Sequence, residues 1–140
     1  MKLTVENITN ILAALLLFIF GIVYLTRNSV MPYHEIAMGQ SFNSLSDDVR
    51  LVVVAFINGI GGSFITIAII IIWLQYHFSK TPQLWIANLI LITGGLTLLF
   101  ILQAVFTLRI YTEGNPPLVL PLIGLGLIIV GYIFNRKSII

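Results

Sequence analysis

Residues 51–74 read LVVVAFINGIGGSFITIAIIIIWL, and this stretch decides what kind of molecule the chain is. It holds no charged residue over a length that, wound as an α-helix, crosses the roughly 30 Å hydrocarbon layer of a bilayer. Lipid offers no water to satisfy backbone N–H and C=O groups, so a run this long meets that demand only as a helix. Three further runs share its character, at about residues 8–26, 84–106 and 118–134, separated by polar or Pro-containing stretches. The expected fold is therefore all-α: one integral membrane domain over residues 1–140, a four-helix transmembrane bundle with a structured first extramembrane loop.

Composition agrees with that reading. The chain is 59% hydrophobic and 9% charged, with a mean hydropathy of +1.06, whereas roughly a quarter of the residues in a soluble domain are charged. Its seven Lys and Arg are scattered singly and leave a formal charge of only +2, so nucleic acid has no basic patch to bind and is excluded as a partner. The absence of cysteine rules out disulfides, thiolate metal ligands, a thiol nucleophile and a palmitoyl anchor. Residues 11–25, ILAALLLFIFGIVYL, outrun the core of a secretory signal and are followed by TRNSVMPYH, which has no small-x-small cleavage pattern. The first run is expected to be retained as a span. Asn7-Ile8-Thr9 matches the glycosylation triplet but abuts that span, and is read as a chance match.

Two aromatic belts accompany four crossings: Tyr24, Phe106 and Tyr111 at one level, Trp73, Tyr76, Trp85 and Tyr132 at the other. Lys2, Lys80, Arg136 and Lys137 fall on the side of the termini, against Arg27, Arg50 and Arg109 opposite. By the positive-inside rule that imbalance places both termini in the cytoplasm. The second and third connections, QYHFSKTPQ at 75–83 and TLRIYTEGNPP at 107–117, are short and join antiparallel neighbours.

The first connection is longer and carries most of the polarity, in MPYHEIAMGQSFNSLSDDVR at 31–50. Pro32 suits the first position of a short helix and Gly39 the position just past its end, which would set Tyr33, Ile36 and Ala37 on one face. Ser44-Leu45-Ser46-Asp47 has the capping-box pattern, so the second span is expected to start in water about a turn before Arg50. Asp47 and Asp48 then favour the positive end of its dipole.

Three groups of residues are candidates for function. His34, with Glu35 or Asp48 as partner, could act as a general base. Arg27, Arg50 and Arg109 stand at the mouths of different spans and could clamp an anionic headgroup. Asn58 and Gln103 lie in the membrane half nearer the first loop and could bond to each other or touch a ligand. Adjacent helical residues point about 100° apart, and no paired-His spacing occurs, so no metal site and no cofactor is expected. Small residues mark expected close packing: Ala55, Gly59 and Ser63 at four-residue intervals in the second span, Gly94 and Gly95 in the third, Gly124 and Gly131 in the fourth. No span contains an ionisable residue, which argues against an ion-coupled transporter or a proton pump.

The segments Pro32-Tyr33-His34, Ala37-Met38-Gly39, Gly59 to Gly62 and Thr112-Glu113-Gly114-Asn115-Pro116-Pro117 together resemble a family of small bacterial four-span inner-membrane proteins with no known activity. Phe42 stands where that pattern has a Trp. The resemblance implies a bacterial inner-membrane location and no mechanism. Two function classes follow from the residues. One is a non-enzymatic bundle embedded in the lipid bilayer, which binds a lipid or apolar small molecule, or serves as an accessory or oligomeric subunit of a membrane assembly. The other is a membrane enzyme that acts on a lipid headgroup or anionic substrate through His34 in the first loop.

Overall fold

The computed structural model describes residues 4–139, so Lys2, one of the charges used for orientation, lies outside the described residues. The chain is all-helical there: α1 Val5–Leu25, α2 Pro32–Met38, α3 Asp47–Lys80, α4 Leu84–Tyr111 and α5 Val119–Lys137, with a 3-10 turn at Phe42–Ser44. Four of these helices, all but α2, are long and apolar enough to cross a membrane. The four form a ring in which α1 packs on α3 and α5, and α4 closes the circuit between α3 and α5. α1 and α4 lie on a diagonal and scarcely touch.

α3 and α4 run well beyond the spans expected from hydropathy. At 1.5 Å per residue they are about 50 and 42 Å long, more than the hydrocarbon layer requires. The second connection therefore shrinks to residues 81–83, and most of QYHFSKTPQ is helix. Its polar residues resembled a loop, yet Gln75 and Phe78 face the core. α4 likewise continues through Arg109 to Tyr111.

α2 has the ends its sequence calls for. Pro32 occupies the first turn, where its missing N–H would have had no intrahelical partner, and Gly39 terminates the helix at φ +66°, a left-handed conformation that costs glycine little. Tyr33 and Ala37 face the bundle, where Gly114 of the α4–α5 connection lies against the Tyr33 carbonyl and the Ala37 side chain. Ile36, expected on that face, is instead exposed. α3 starts at Asp47 as expected, but its N-cap is Ser46 and not Ser44. Ser44 belongs to the 3-10 turn, where its hydroxyl donates to the Ser41 carbonyl at 2.7 Å.

The two halves of the bundle pack differently. Toward the termini the core is dense and built on small side chains: Ala13, Ala14, Ala68 and Ala87 let the helices approach around Ile71, Ile90 and Ile128. A polar clamp at that end joins three helices. Gln75, fully buried, donates from Nε2 to Asn7 Oδ1 at 2.7 Å and to Asn135 Oδ1 at 3.3 Å. Its Oε1 accepts from Asn10 Nδ2 at 2.8 Å and Asn135 Nδ2 at 3.2 Å. Among the described residues the remaining Asn10 oxygen has no conventional donor. Any side chain at Gly131 would run into the Asn10 amide, so a Cα hydrogen of Gly131 points at that amide, a weak but recurrent contact at helix interfaces.

The glycines divide in a way the small-residue pattern did not anticipate. Gly124 packs under Leu98 and Gly131 under Asn10, so both lie at helix contacts. Ala55, Gly59 and Ser63 are exposed on the outside of α3, and among the described residues nothing lies within 4 Å of the position of a Gly59 Cβ. The close approach of α3 to α1 runs instead through Gly61, whose Cβ would strike the backbone of Leu25 and Gly21. Gly21 answers it, with the Gly61 carbonyl 2.9 Å from where its own Cβ would stand.

Candidate functional site

Toward the first loop the bundle does not close. A cavity of about 240 Å³ lies among α1, α3, α4 and the start of α5, roofed by α2. Its wall is hydrocarbon and aromatic, with Leu17, Ile57, Phe64, Leu98 and Val105 among the lining residues. Two features of the sequence keep it open. α1 and α4 meet only across the diagonal, and the lining contributed by the α4–α5 connection and the first turn of α5 includes Pro116, Pro117 and Pro121, whose compact rings reach less far inward than a long side chain would. Ile60 of α3 and Ala104 of α4 both line the cavity and are exposed on the outer surface, so the cavity communicates with the lipid-facing side between those helices.

The polar groups of the lining cluster under α2. The hydroxyls of Tyr24 and Tyr33 are 2.6 Å apart, a bond that ties the α2 roof to α1. Burial, helped by this bond, holds the Tyr33 phenol above its ordinary range, against a smaller opposing pull from the Arg27 guanidinium. The His34 ring stands edge-on to Tyr33, with centroids 4.3 Å apart. Its Nδ1 accepts from the Met31 backbone N–H at 3.3 Å, capping the start of α2. An imidazole that accepts at Nδ1 carries its proton at Nε2. Burial lowers the His34 pKa from 6.5, so the ring is neutral at pH 7.

That direction sets a pH dependence for the roof. The docked state favours neutral His34, so below about pH 6.5 an undocked α2 binds more protons than a docked one. Docking is at full strength above that pH and weakens as pH falls, because burial disfavours the charged imidazolium; a protonated Nδ1 would also face the Met31 N–H donor. Hydrogen exchange of the α2 amides, corrected for intrinsic rate, is expected to speed up from about pH 7.5 to 5. In His34→Asn, whose amide oxygen can take the Nδ1 place and does not titrate, it should not; equal acceleration in both proteins would remove His34 as the cause.

The other expected site residues are dispersed. Glu35 does not meet His34: its carboxylate accepts from the Phe42 N–H at 2.7 Å and the Ser41 hydroxyl at 3.3 Å, pinning the 3-10 turn. Asp48 is exposed, and among the described residues no ion pair joins His34 to a carboxylate. The three arginines do not share an anion site. Arg27 donates to the Met31 sulfur at 3.1 Å, Arg109 to the Pro116 carbonyl at 3.1 Å, and Arg50 pairs with Asp47. None of the three lines the cavity. The Asn58 amide nitrogen faces carbonyls at the end of α1 and just beyond it, at 3.1 Å from Tyr24 and 3.2 Å from Leu25 and Arg27, so Asn58 caps α1 and does not reach α4. Gln103 is exposed. The bond between α4 and α5 comes from Asn88, which accepts from the Tyr132 hydroxyl at 3.1 Å.

Sequence reasoning missed the amide clamp and Tyr24. The clamp had a signal, since Asn7 and Asn10 share a helical face with Ala14, Leu17 and Gly21, the buried side of α1. The Tyr24–Tyr33 pair had none, because two tyrosines nine residues apart meet only through the turn that folds α2 back over α1. Compared with models of protein families, with curated proteins and with solved structures, the chain matches none.

Proposed function

We propose that the protein is a non-enzymatic membrane protein that binds a lipid or other apolar small molecule in the cavity beneath α2. The observation that carries this reading is the cavity itself: about 240 Å³ of apolar space with its few polar groups gathered at one end. Apolar cavities of roughly 150 Å³ already take up benzene, and ligand sites in general are apolar clefts with a few placed polar groups. The side opening between Ile60 and Ala104 suits a molecule already dissolved in the bilayer. Catalysis at a headgroup finds less support, because His34 has neither Glu35 nor Asp48 beside it and the arginines are each engaged elsewhere.

The positive-inside count and the family resemblance favour a bacterial inner membrane with both termini in the cytoplasm, which sets the cavity and α2 toward the outer face. Service as a subunit of a larger assembly is compatible with ligand binding, and the exposed Ala55, Gly59 and Ser63 would offer a shallow surface for it.

Native mass spectrometry of the full chain extracted in mild detergent tests the reading, since it reports bound mass and oligomeric state together. A co-purifying apolar ligand is expected. Val105→Phe, which places a ring in the cavity, should reduce its occupancy by about tenfold or more, the effect of losing well over 1.4 kcal/mol of contact. Unchanged occupancy in that variant, at unchanged folding, would move the ligand site elsewhere.

A further inference from the structure

The donors at the roof of the cavity select among its occupants. His34 spends Nδ1 on the Met31 N–H, so the hydrogen it has left is on Nε2. In the Tyr24–Tyr33 pair one hydroxyl donates to the other, and the accepting hydroxyl keeps its own proton. Tyr24, Tyr33 and His34 all line the cavity, so its polar end is bounded by one N–H and one O–H that bond to no other side chain or backbone group among the described residues. No cation stands among the lining residues: Arg27, Arg50 and Arg109 all lie outside them, Arg27 exerting only a minor pull on the Tyr33 phenol, and the lowered His34 pKa leaves that ring neutral at pH 7. An anionic head drawn into this apolar space would lose its hydration with no ion pair in return. A carbonyl oxygen carries two lone pairs, brings no donor of its own and needs no counter-charge.

From this we infer that the ligand is an uncharged amphiphile whose head presents a carbonyl oxygen to the Tyr24–Tyr33 pair and His34, with its apolar tail in the cavity below. The inference rests on the cavity being a ligand site. A quinone ring and the ester of a neutral glyceride share this chemistry, and each carries a tail that reaches the side opening between Ile60 and Ala104 from the bilayer.

The test uses the full chain in alkyl maltoside micelles, which contain no carbonyl, with native mass spectrometry read across titrations of four probes. These are decyl-benzoquinone, monodecanoyl glycerol, decylbenzene and decyl phosphate. At least one carbonyl probe is expected to bind about 5- to 10-fold more tightly than decylbenzene, the effect of one or two hydrogen bonds; the tighter of the two identifies the source of the carbonyl. In Tyr24→Phe combined with Tyr33→Phe and His34→Phe, which removes every hydroxyl and imidazole donor from the polar end, that advantage should fall below about twofold while decylbenzene binding reports that the cavity is intact. If decylbenzene matches both carbonyl probes, or decyl phosphate binds best, the carbonyl-head inference is overturned and the cavity remains a ligand site. If no probe binds, the cavity reading fails with it.

Discussion

Replacing Gln75 by alanine is expected to cost about 2–4 kcal/mol of bundle stability. The side chain is fully buried and makes four hydrogen bonds, to Asn7, Asn10 and Asn135 on two other helices. Individual side-chain bonds between membrane helices average about 0.6 kcal/mol and reach roughly 1.7 kcal/mol, and a buried amide left without a partner costs about 1–3 kcal/mol more. The larger part of the loss should therefore come from Asn10 and Asn135, whose buried amides bond to Gln75. A quadruple variant that also changes Asn7, Asn10 and Asn135 to alanine should consequently be less destabilised than the sum of its single changes. Reversible unfolding in mixed micelles, or steric trapping in bicelles, measures both quantities. A loss under about 0.5 kcal/mol for Gln75→Ala would show that the clamp contributes little net stability and serves to set helix register.

Two glycines two residues apart should behave oppositely. Gly61→Ala forces a methyl group into the backbone of Leu25 and the carbonyl of Gly21, where no side chain can swing away. α1 and α3 must separate, and the expected cost is about 2–3 kcal/mol, typical of overpacking against a rigid neighbour. Gly59→Ala meets nothing within 4 Å and exchanges a poor helix former for the best one, so it should be neutral or stabilising by up to about 1 kcal/mol. The same unfolding assay compares them. Equal costs would mean that the stripe through Ala55, Gly59 and Ser63 is also a packing surface, and in that case one made with another chain.

This pair shows where sequence reading loses its grip. In a soluble helix the apolar side is the buried side, so periodicity picks out the residues that touch the core. α3 is apolar all round, because its outer face must dissolve in lipid as its inner face must pack. Ala55, Gly59 and Ser63 form as regular a stripe as any that includes Gly61, and nothing in the one-dimensional pattern says which turns inward. The same ambiguity hid Gln75. At the end of a hydropathic run a polar residue reads as the onset of a loop, and only the position of α1 and α5 makes it the centre of a clamp.

The sequence by itself determined the number of spans, the all-helical class and the ends of α2, because each depends on a demand met locally. A charge-free run must satisfy its own backbone, Pro32 has no N–H to offer beyond the first turn, and Gly39 takes a positive φ cheaply. Tertiary structure alone decided which glycine is a contact, which amides find one another, and that Tyr24, Tyr33 and His34 gather over a cavity. Those outcomes depend on how each helix is rotated about its own axis. In a bilayer that rotation is set by shape and by a few hydrogen bonds between helices, since hydrophobicity is the same on every side.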